Sequence, residues 1–239
     1  MAKTSNQNWF AVCMYLLAVS MVSAEWSYGS EKIDITRFTG EISDNGFPVD
    51  WQEFTFPSIS QKTHYSIVAD TTYGPVLWAR SSAGAGGVGR RILEDPKQYP
   101  ILTWSWKIDS IIKNGSLSRK DGDDFPARLL VSFSGPIPDV PFKEKTLCYV
   151  WAAHEPIGTI GINPFHKNIA TIVAVSGSDK IGKWQELSRD IVADYYQAFS
   201  ENPGHISAIS LMTDSDNTKT QVEAWYGPVY LQKDNGSAP

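Results

Sequence analysis

The feature that most limits how this chain can fold is a series of short apolar segments with a two-residue period. In Ile101–Ile108 the even-numbered residues are Leu, Trp, Trp and Ile, while Thr103, Ser105 and Lys107 lie between them. Such alternation places apolar side chains on one face of a β-strand and polar ones on the other. Ile169–Val175, by contrast, is almost entirely apolar, as expected of a strand that is covered on both faces.

Ten segments of this kind are separated by turn residues such as Gly, Pro, Asp and Asn. They are Ile33–Phe38, Gln52–Phe56, Tyr65–Ala69, Val76–Ala79, Ile101–Ile108, Ala127–Phe133, Leu147–Ala152, Ile169–Val175, Ile206–Met212 and Glu223–Leu231. Many short strands with regularly spaced turn signals predict an all-β protein. We expect a jelly-roll-like β-sandwich.

Two segments depart from the strand pattern. From Trp184 to Phe199 apolar residues recur every three or four positions, and Glu201–Gly204 (ENPG) ends the pattern. This spacing predicts one α-helix over about 184–199 that covers the sheets. Ser81–Gly89 is rich in small residues, which fits either a flexible loop or a strand that another backbone approaches closely.

The first 24 residues have the pattern of a secretory signal peptide. Lys3 is the only charged residue before position 25, Trp9–Val22 is an apolar run, and Val22–Ala24 supplies small residues for cleavage. An uncleaved N-terminal anchor is the alternative. We therefore expect a periplasmic or secreted protein in which residues 25–239 form a single β-sandwich domain, with no membrane span after cleavage.

Charge and cysteine content exclude several classes of protein. The chain has 21 Lys and Arg against 26 Asp and Glu, a net charge of -5, which argues against a general nucleic-acid-binding protein. Its 2 cysteines are too few for a disulfide scaffold. Cys148 lies in an apolar strand and is interpreted as a buried, inert thiol.

Acidic residues are concentrated in Asp121–Asp124 and in Thr213–Thr218 (TDSDNT). The first segment leads into a predicted strand and the second follows one, so antiparallel pairing would bring both to one end of a sheet. Asp109 ends strand Ile101–Ile108, for which we expect a hairpin pairing with Ala127–Phe133. The three acidic segments are thus predicted to converge at one rim.

Converging carboxylates repel each other and require a cation, basic side chains or raised pKa values. Asp214, Asp216 and Asn217 have oxygen ligands that suit calcium, but the remainder of an EF-hand loop is missing, and the same residues are common in turns. No metal site is assigned, and calcium stays an alternative. The candidate ligand-binding residues are Asp123, Asp124, Arg128, Asp214, Asp216, Asn217, Trp225 and Tyr226.

Two of these candidates have competing interpretations. Arg128 forms either a surface ion pair with Asp124 or a buried contact with Asp123 or Asp214 that presents it to an anionic substrate. An exposed Trp225 would suit stacking on sugar rings, but core packing is the favoured interpretation. Trp104 and Trp106, on the apolar face of their strand, are predicted to lie in the core.

The chain resembles a bacterial secreted family, the domain of unknown function DUF3047. The resemblance runs from about Tyr65 to Leu231, through the motifs YPILTWSWKID, GDDFPARLLVSF, CYVWAAHEPIGT, RDIVADYYQAF and ISAISLMTDSDNTKTQVEAWYGPVYL. It implies a signal peptide and one β-rich domain, and it supplies no catalytic residues. Typical members carry an Asn near the end of the YVW strand, where this chain has Ala152, Ala153 and His154.

The sequence favours a non-catalytic module that binds a glycan or another polar ligand, or an envelope component, at the acidic rim. A structural or assembly protein of the cell envelope is the second interpretation. The third is a polysaccharide hydrolase or lyase with paired carboxylates and Arg128 or Lys107 as the electrostatic partner. The sequence contains no G-x-S-x-G, P-loop or H-E-x-x-H motif.

Overall fold

The structure is a computed structural model that describes residues 32–36, 38–134 and 144–234. The predicted signal peptide, residues 1–24, lies outside these ranges. In the described part of the chain no helix is long and apolar enough to span a bilayer.

Thirteen strands and one α-helix make up the described secondary structure, together with a 3-10 turn at Lys120–Gly122. The strands are β1 (Lys32–Asp34), β2 (Trp51–Phe54), β3 (His64–Asp70), β4 (Gly74–Ser82), β5 (Gly87–Glu94), β6 (Ile101–Ile108), β7 (Arg128–Phe133), β8 (Lys145–Ala152), β9 (Ile160–Ile162), β10 (Ile169–Ser176), β11 (Gln185–Asp190), β12 (Ile206–Met212) and β13 (Gln221–Gln232). Helix α1 is Ile191–Phe199. Each of the ten predicted strands is present, and β5, β9 and β11 are additional.

The strands form two sheets packed as a jelly-roll-like β-sandwich, as the sequence predicts. The six-stranded sheet has the order β11-β6-β13-β4-β3, with β1 also pairing with β13. The seven-stranded sheet has the order β2-β5-β12-β7-β8-β10-β9. Strands β8 and β10 pair in parallel, and the middle of β10 is buried on both faces, which accounts for its continuous apolar sequence.

Aromatic side chains from both sheets fill the space between them. Trp104 and Trp106 of β6 are 3% and 0% exposed, so their predicted core position is confirmed. Trp104 lies 5.0 Å from the ring of Tyr149, and Trp106 lies 6.4 Å from that of Trp151, both on β8 of the other sheet. Large aromatic groups bury much apolar area, so these contacts contribute strongly to holding the sheets together.

The α-helix begins later than the sequence predicts, at residue 191 instead of about 184. Residues 185–190 form the edge strand β11 on β6, where Leu187 lies opposite Trp104. The carboxylate of Asp190 then accepts hydrogen bonds from the backbone N–H groups of Val192 and Ala193, both at 2.9 Å. This N-cap fixes the start of the helix, and the apolar period before it reflects packing of an edge strand instead.

The predicted hairpin between Ile101–Ile108 and Ala127–Phe133 is wrong. Strand β6 pairs with β11 and β13, whereas β7 pairs with β8 and β12, in the opposite sheet. Asp109 therefore lies apart from the other acidic segments, and its carboxylate accepts a hydrogen bond from the backbone of Glu223. The long connection from β6 to β7 leads from one sheet to the other, whereas the two strands of a hairpin are neighbours in the same sheet.

The small residues of Ser81–Gly89 allow close approach of neighbouring groups, which was one of the two predicted interpretations. A Cβ atom on Gly84 would lie 2.9 Å from the backbone oxygen of Gln61. A Cβ atom on Gly87, at the start of β5, would lie 2.3 Å from the ring of Phe54. The Phe54 ring thus lies directly against the backbone of β5, which positions it beside the site described next.

A second apolar cluster lies on the outer face of the seven-stranded sheet. Its members are Leu117, Phe125, Cys148, Val150, Ala152 and Val173, with Leu130 and Ile169 packed against them. Leu117 and Phe125 belong to the connection from β6 to β7, so this connection covers part of the outer face. The part that it leaves uncovered becomes a cleft.

Candidate functional site: an acidic cleft on the seven-stranded sheet

The two acidic segments that follow β12 and precede β7 meet at one end of the seven-stranded sheet. Met212, at the end of β12, is the register partner of Arg128, at the start of β7. Oxygen atoms of Asp124, Asp214 and Asp216 consequently lie within 4.8 Å of one another. Their convergence follows from antiparallel pairing of β12 with β7.

Arg128 lies at the centre of this cluster and is only 5% exposed. Its Nε and Nη2 atoms donate to the two carboxylate oxygens of Asp214, at 2.7 and 2.5 Å. Its Nη1 atom donates to Oδ1 of Asp123 at 3.2 Å. The guanidinium is therefore buried between two carboxylates, and no ion pair with Asp124 is present among the described residues.

Asp124 connects the two acidic segments without contacting the guanidinium. Its Oδ1 accepts hydrogen bonds from the backbone and side-chain amides of Asn217, at 3.2 and 3.1 Å. Its Oδ2 accepts from the backbone and hydroxyl of Thr218, at 2.5 and 2.7 Å. Because Asp124 is fully buried, these four bonds replace its lost hydration and hold segment 213–218 in place.

Among the described residues the cluster contains more buried carboxylates than cations, since Arg128 is its one guanidinium. Burial and this excess of acidic groups shift the pKa values of Arg128, Asp214 and Asp216. Burial disfavours the charge of Arg128, but Asp214 and Asp123 outweigh burial and hold the pKa of Arg128 well above its usual value. Burial raises the pKa of Asp214 to about 7, against the attraction of Arg128. Burial, together with the charge of Asp124, also raises the pKa of Asp216.

The same three acids, Asp124, Asp214 and Asp216, could hold a metal ion. A calcium ion prefers several carboxylate and carbonyl oxygens at once. The oxygens of Asp124 and Asp214, however, already accept hydrogen bonds from Thr218, Asn217, Phe125 and Arg128. A cation would have to displace these donors, so the carboxylates are compensated by N–H and O–H groups and by Arg128.

An elongated cleft of about 550 Å³ begins at this cluster and runs over the outer face of the sheet. Its lining combines apolar and polar residues: Phe54, Phe56, Ser58, Ile59, Ala85, Asp123, Arg128, Leu130, Cys148, Asn163, Phe165, His166, Ile169, Met212, Asp214, Asp216 and Asn217. Phe54 lies on β2, and Ile169 lies on β10, five strand spacings away in the sheet order. At about 4.8 Å per spacing, the cleft crosses about 24 Å of sheet.

Asn163 links the cluster to the far end of the cleft. Its Nδ2 donates to Oδ2 of Asp123 at 2.7 Å, and its Oδ1 accepts from the backbone N–H groups of Phe165 and His166. These bonds shape the turn between β9 and β10, where the Phe165 side chain is 49% exposed. Phe165 therefore lies at the cleft with about half of its surface exposed, and the Lys120 ammonium lies 5.2 Å from the centre of its ring.

The predicted candidates Tyr226 and Trp225 lie apart from the cleft. Tyr226 is buried between the sheets, where its hydroxyl donates to the backbone oxygen of Met212 at 2.6 Å and accepts from the backbone of Arg128. It supports the acidic cluster from below. Trp225 is half-buried on the outer face of the six-stranded sheet, so the interpretation of core packing is wrong for this residue.

Cys148 lies on the floor of the cleft and is buried. Burial raises the pKa of its thiol to about 12, against the lowering effect of Arg128. A thiol that stays protonated at neutral pH is a poor nucleophile, as the sequence predicts. It serves here as a small apolar surface.

Comparison with known families agrees with the pattern of motifs in the sequence. Residues 49–230 match the profile of the family described as "Protein of unknown function (DUF3047)", which is more than half of the chain. The chain belongs to this family. The family matches the one predicted from the motifs, and its description names no activity. No curated protein shows significant similarity to the chain.

Several solved structures are similar to the chain at low sequence identity. The family 11 carbohydrate-binding module from Clostridium thermocellum, solved with a mixed-linked tetrasaccharide, is 12% identical with a TM-score of 0.43, and the alignment covers 84% of this chain and 95% of that one. The K2 adhesin domain of Lys-gingipain is 8% identical with a TM-score of 0.41, covering 86% and 100%. The xyloglucanase domain of NopAA from Sinorhizobium fredii is 8% identical with a TM-score of 0.38, covering 77% and 97%. At these scores we draw no functional conclusion from the similarities.

Asn163, Phe165, Phe54 and Phe56 are site residues that the sequence analysis missed. Phe54 and Phe56 alternate with polar residues in a predicted strand, and this was the only signal pointing to a shared aromatic face. Asn163 and Phe165 lie in a turn whose proximity to Asp123 depends on the order of strands in the sheet. That order is not visible in the sequence.

Proposed function

We propose that this protein is a non-catalytic binding module that holds a glycan in the acidic cleft. The observation that carries the proposal is that half-buried or exposed aromatic rings and hydrogen-bonding side chains line one continuous concavity. Phe54, Phe56 and Phe165 supply the rings, and Asp123, Asn163, Asp216 and Asn217 supply the polar atoms.

A glycan matches this combination of surfaces. Sugar rings carry apolar C–H faces that pack on aromatic rings, while their hydroxyl groups donate to carboxylate and amide oxygens. The volume of about 550 Å³ is in the range of ordinary ligand sites, roughly 300–1,000 Å³. A length of about 24 Å, from five strand spacings, favours an extended chain of sugar units over a single compact ligand.

The charges of the cleft define which glycans it binds. Arg128 forms ion pairs with two carboxylates. Its positive charge is therefore compensated and attracts an acidic sugar only weakly. Asp216 is half-buried, lines the cleft, and accepts no hydrogen bond from another side chain in the described ranges. The cleft is therefore expected to favour neutral or cationic glycans and to repel uronic acids.

The electrostatic partners of a hydrolase or lyase are already engaged in the structure. Lys107 lies on β6 in the other sheet, where its ammonium contacts the carboxylate of Asp70 at 3.3 Å. Arg128 is held by Asp123 and Asp214. Neither cation is placed to stabilise charge on a substrate in the cleft, which supports binding without catalysis.

The proposed setting is outside the cytoplasm, with an envelope or environmental glycan as the partner. The signal-peptide pattern of residues 1–24 supports this setting. Cell fractionation followed by mass spectrometry of the mature N-terminus tests it. A mature chain that starts at Glu25 in the periplasm or medium is the expected result, and an uncleaved cytoplasmic chain would contradict the export proposal.

Affinity electrophoresis tests the binding function. The purified protein is run through gels that contain mixed-linkage β-glucan, xylan, glucomannan, chitosan or polygalacturonate. We expect retardation by at least one neutral or cationic polymer and none by polygalacturonate. Phe165→Ala and Asp216→Asn should each weaken that retardation about tenfold, equivalent to ~1.4 kcal/mol.

The matched control is Leu93→Ala. Leu93 is 77% exposed and does not line the cleft, so its loss removes a surface apolar group without touching the site. The proposal fails if no polymer retards the wild type, or if the cleft variants and the control behave alike.

A further inference from the structure

A second groove, of about 490 Å³, lies on the outer face of the six-stranded sheet, on the opposite side of the molecule from the cleft. Its lining includes Tyr73, Ser105, Glu186, Ser188, Pro228 and Tyr230. Glu186 pairs in register with Ser105 across β11 and β6, which places both side chains on this outer face.

A β-bulge in β13 shapes the floor of the groove. Tyr226 and Val229 pair with Trp106 and Trp104, so Gly227 and Pro228 together face the single residue Ser105. A bulge bends its strand and interrupts the ladder. Gly227 is needed there, because a Cβ atom at this position would lie 2.2 Å from the hydroxyl of Ser105 and 3.4 Å from the ring of Trp184.

The Ser105 hydroxyl is buried at the floor of the groove, close to the hydroxyl of Tyr73. The residue is 4% exposed and lines the groove, and its oxygen has no hydrogen bond of good geometry in the described part of the chain. The nearby Tyr73 hydroxyl donates instead to Glu186 at 2.6 Å. Glu186 and Ser188, by contrast, are exposed polar residues of the groove.

Aromatic rings continue from the groove along the same outer face. The ring of Tyr73 packs edge-on against Trp184 at 4.8 Å. The ammonium of Lys107 lies 4.9 Å from the ring of Trp184 and 4.8 Å from that of Trp225. These rings are half-buried, so each keeps an accessible edge or face while its position is fixed by packing.

The charges in and around the groove cancel. The charged residues among its lining are Lys32 and Glu186, and the Lys32 ammonium lies 3.3 Å from the centre of the Tyr230 ring. Lys107, next to the groove, contacts Asp70 at 3.3 Å. A surface of aromatic rings, hydroxyls and balanced charges is complementary to an uncharged ligand that carries many hydroxyl groups.

We propose that this groove is a second carbohydrate site, which binds an uncharged oligosaccharide independently of the cleft. The sugar rings pack on Tyr230 and Tyr73, and sugar hydroxyls hydrogen-bond to Glu186 and Ser188, which are exposed in the groove. Two sites on opposite faces make the protein bivalent, so it can join two glycan chains. The site goes beyond the proposed function, because it uses none of the residues of the cleft.

Isothermal titration with cellohexaose, xylohexaose, laminarihexaose and mannohexaose tests the second site. We use Tyr230→Ala, which removes a ring, and Ser188→Trp, which fills the groove from an exposed position and leaves the sheet intact. Arg80→Trp adds the same bulk to an exposed position on the same face, outside the groove, and is the control. Phe165→Ala reports on the cleft separately.

At least one hexasaccharide should bind in a step that both groove variants weaken about tenfold, and that Phe165→Ala and Arg80→Trp leave unchanged. Binding that is lost only in Phe165→Ala would locate it in the cleft and overturn the second site. The absence of hexasaccharide binding, or equal binding by wild type and groove variants, would also overturn it. So would a dimer in sedimentation equilibrium that Ser188→Trp dissociates, because a second copy would then cover the groove.

Discussion

Arg128 organises the acidic cluster through contacts within the protein. Its five N–H groups are directed mainly at Asp123 and Asp214, and its guanidinium packs 4.6 Å from the ring of Phe125. The acids of the cluster therefore act largely as internal supports. Asp216, which is half-buried, and Phe165, which is exposed, are left to face the cleft.

Replacing Arg128 by Met is predicted to destabilise the protein by about 3–5 kcal/mol, because it leaves buried carboxylates without their cation. Urea denaturation followed by tryptophan fluorescence measures the loss. Arg80→Met removes an exposed ion pair with Glu223, at 3.6 Å, and should cost no more than about 1 kcal/mol. Equal losses of unfolding free energy in the two variants would show that the buried ion pairs of Arg128 stabilise the protein no more than an exposed pair does.

Cys148 is predicted to resist alkylation in the folded protein. Its thiol is buried, and its pKa is raised to about 12, so at pH 8 almost no thiolate is present to react. Incubation with iodoacetamide, followed by peptide mass spectrometry, should find Cys148 unmodified in buffer and modified in urea. Rapid labelling in buffer would mean that the cleft floor is open to solvent.

The residue types of the acidic cluster were predictable, as was a buried contact of Arg128 with Asp123 or Asp214, which is one of the two interpretations given above. Asp123, Asp124, Arg128 and Asp214 were identified because acids cluster at the two ends of neighbouring strands. The contact of Asn163 with Asp123 joins residues 40 positions apart. A local sequence pattern does not predict a contact over this distance. Trp225 was misassigned because a half-exposed aromatic residue has the same sequence pattern as a core one.

At the scale of elements, the start of α1 depends on one carboxylate. The Asp190 side chain accepts hydrogen bonds from two backbone N–H groups of the first turn, which otherwise have no intrahelical partner. The apolar period from Trp184 continues through this point. The apolar period alone therefore predicts a longer helix. Asp is a common N-cap residue, so Asp190 was a visible signal for a later start.

Asp190→Ala is predicted to lower the free energy of unfolding by about 1 kcal/mol, the usual cost of losing an N-cap. Chemical denaturation at neutral pH measures the change. Asp179→Ala is the control, because Asp179 is exposed in the turn before β11 and caps no helix. A loss that is no larger than in the control would show that edge pairing of β11, and not the cap, fixes the start of the helix.

Strand periodicity predicted the ten main strands but not their order. Ile101–Ile108 and Ala127–Phe133 are neighbours among the predicted strands and were expected to pair. In the structure the connection between them crosses to the other sheet and covers part of its outer face. Such a crossing depends on contacts between distant residues, which the local pattern of apolar residues does not encode.

At the scale of the whole molecule, the sandwich separates two surfaces of different character. Its inner faces are filled by aromatic residues, among them Trp104, Trp106 and Trp151. The outer face of the seven-stranded sheet carries the acidic cleft, and the outer face of the six-stranded sheet carries the groove lined by Tyr73 and Tyr230. The core lies between these two surfaces and separates them.

The most direct test of the proposed function is to locate the bound glycan by methyl NMR. Leu130, Ile169 and Met212 lie on the floor of the cleft, and their methyl groups can be observed in a selectively labelled protein. Leu187 lies beside the groove on the other sheet and reports on that site in the same spectrum.

The ligand for this titration is the polymer that retards the protein most strongly, cut to oligosaccharides. The account predicts saturable shifts of the Leu130, Ile169 and Met212 methyl signals, and loss of these shifts in Phe165→Ala. Unchanged signals from all three methyl groups at saturating ligand would contradict it.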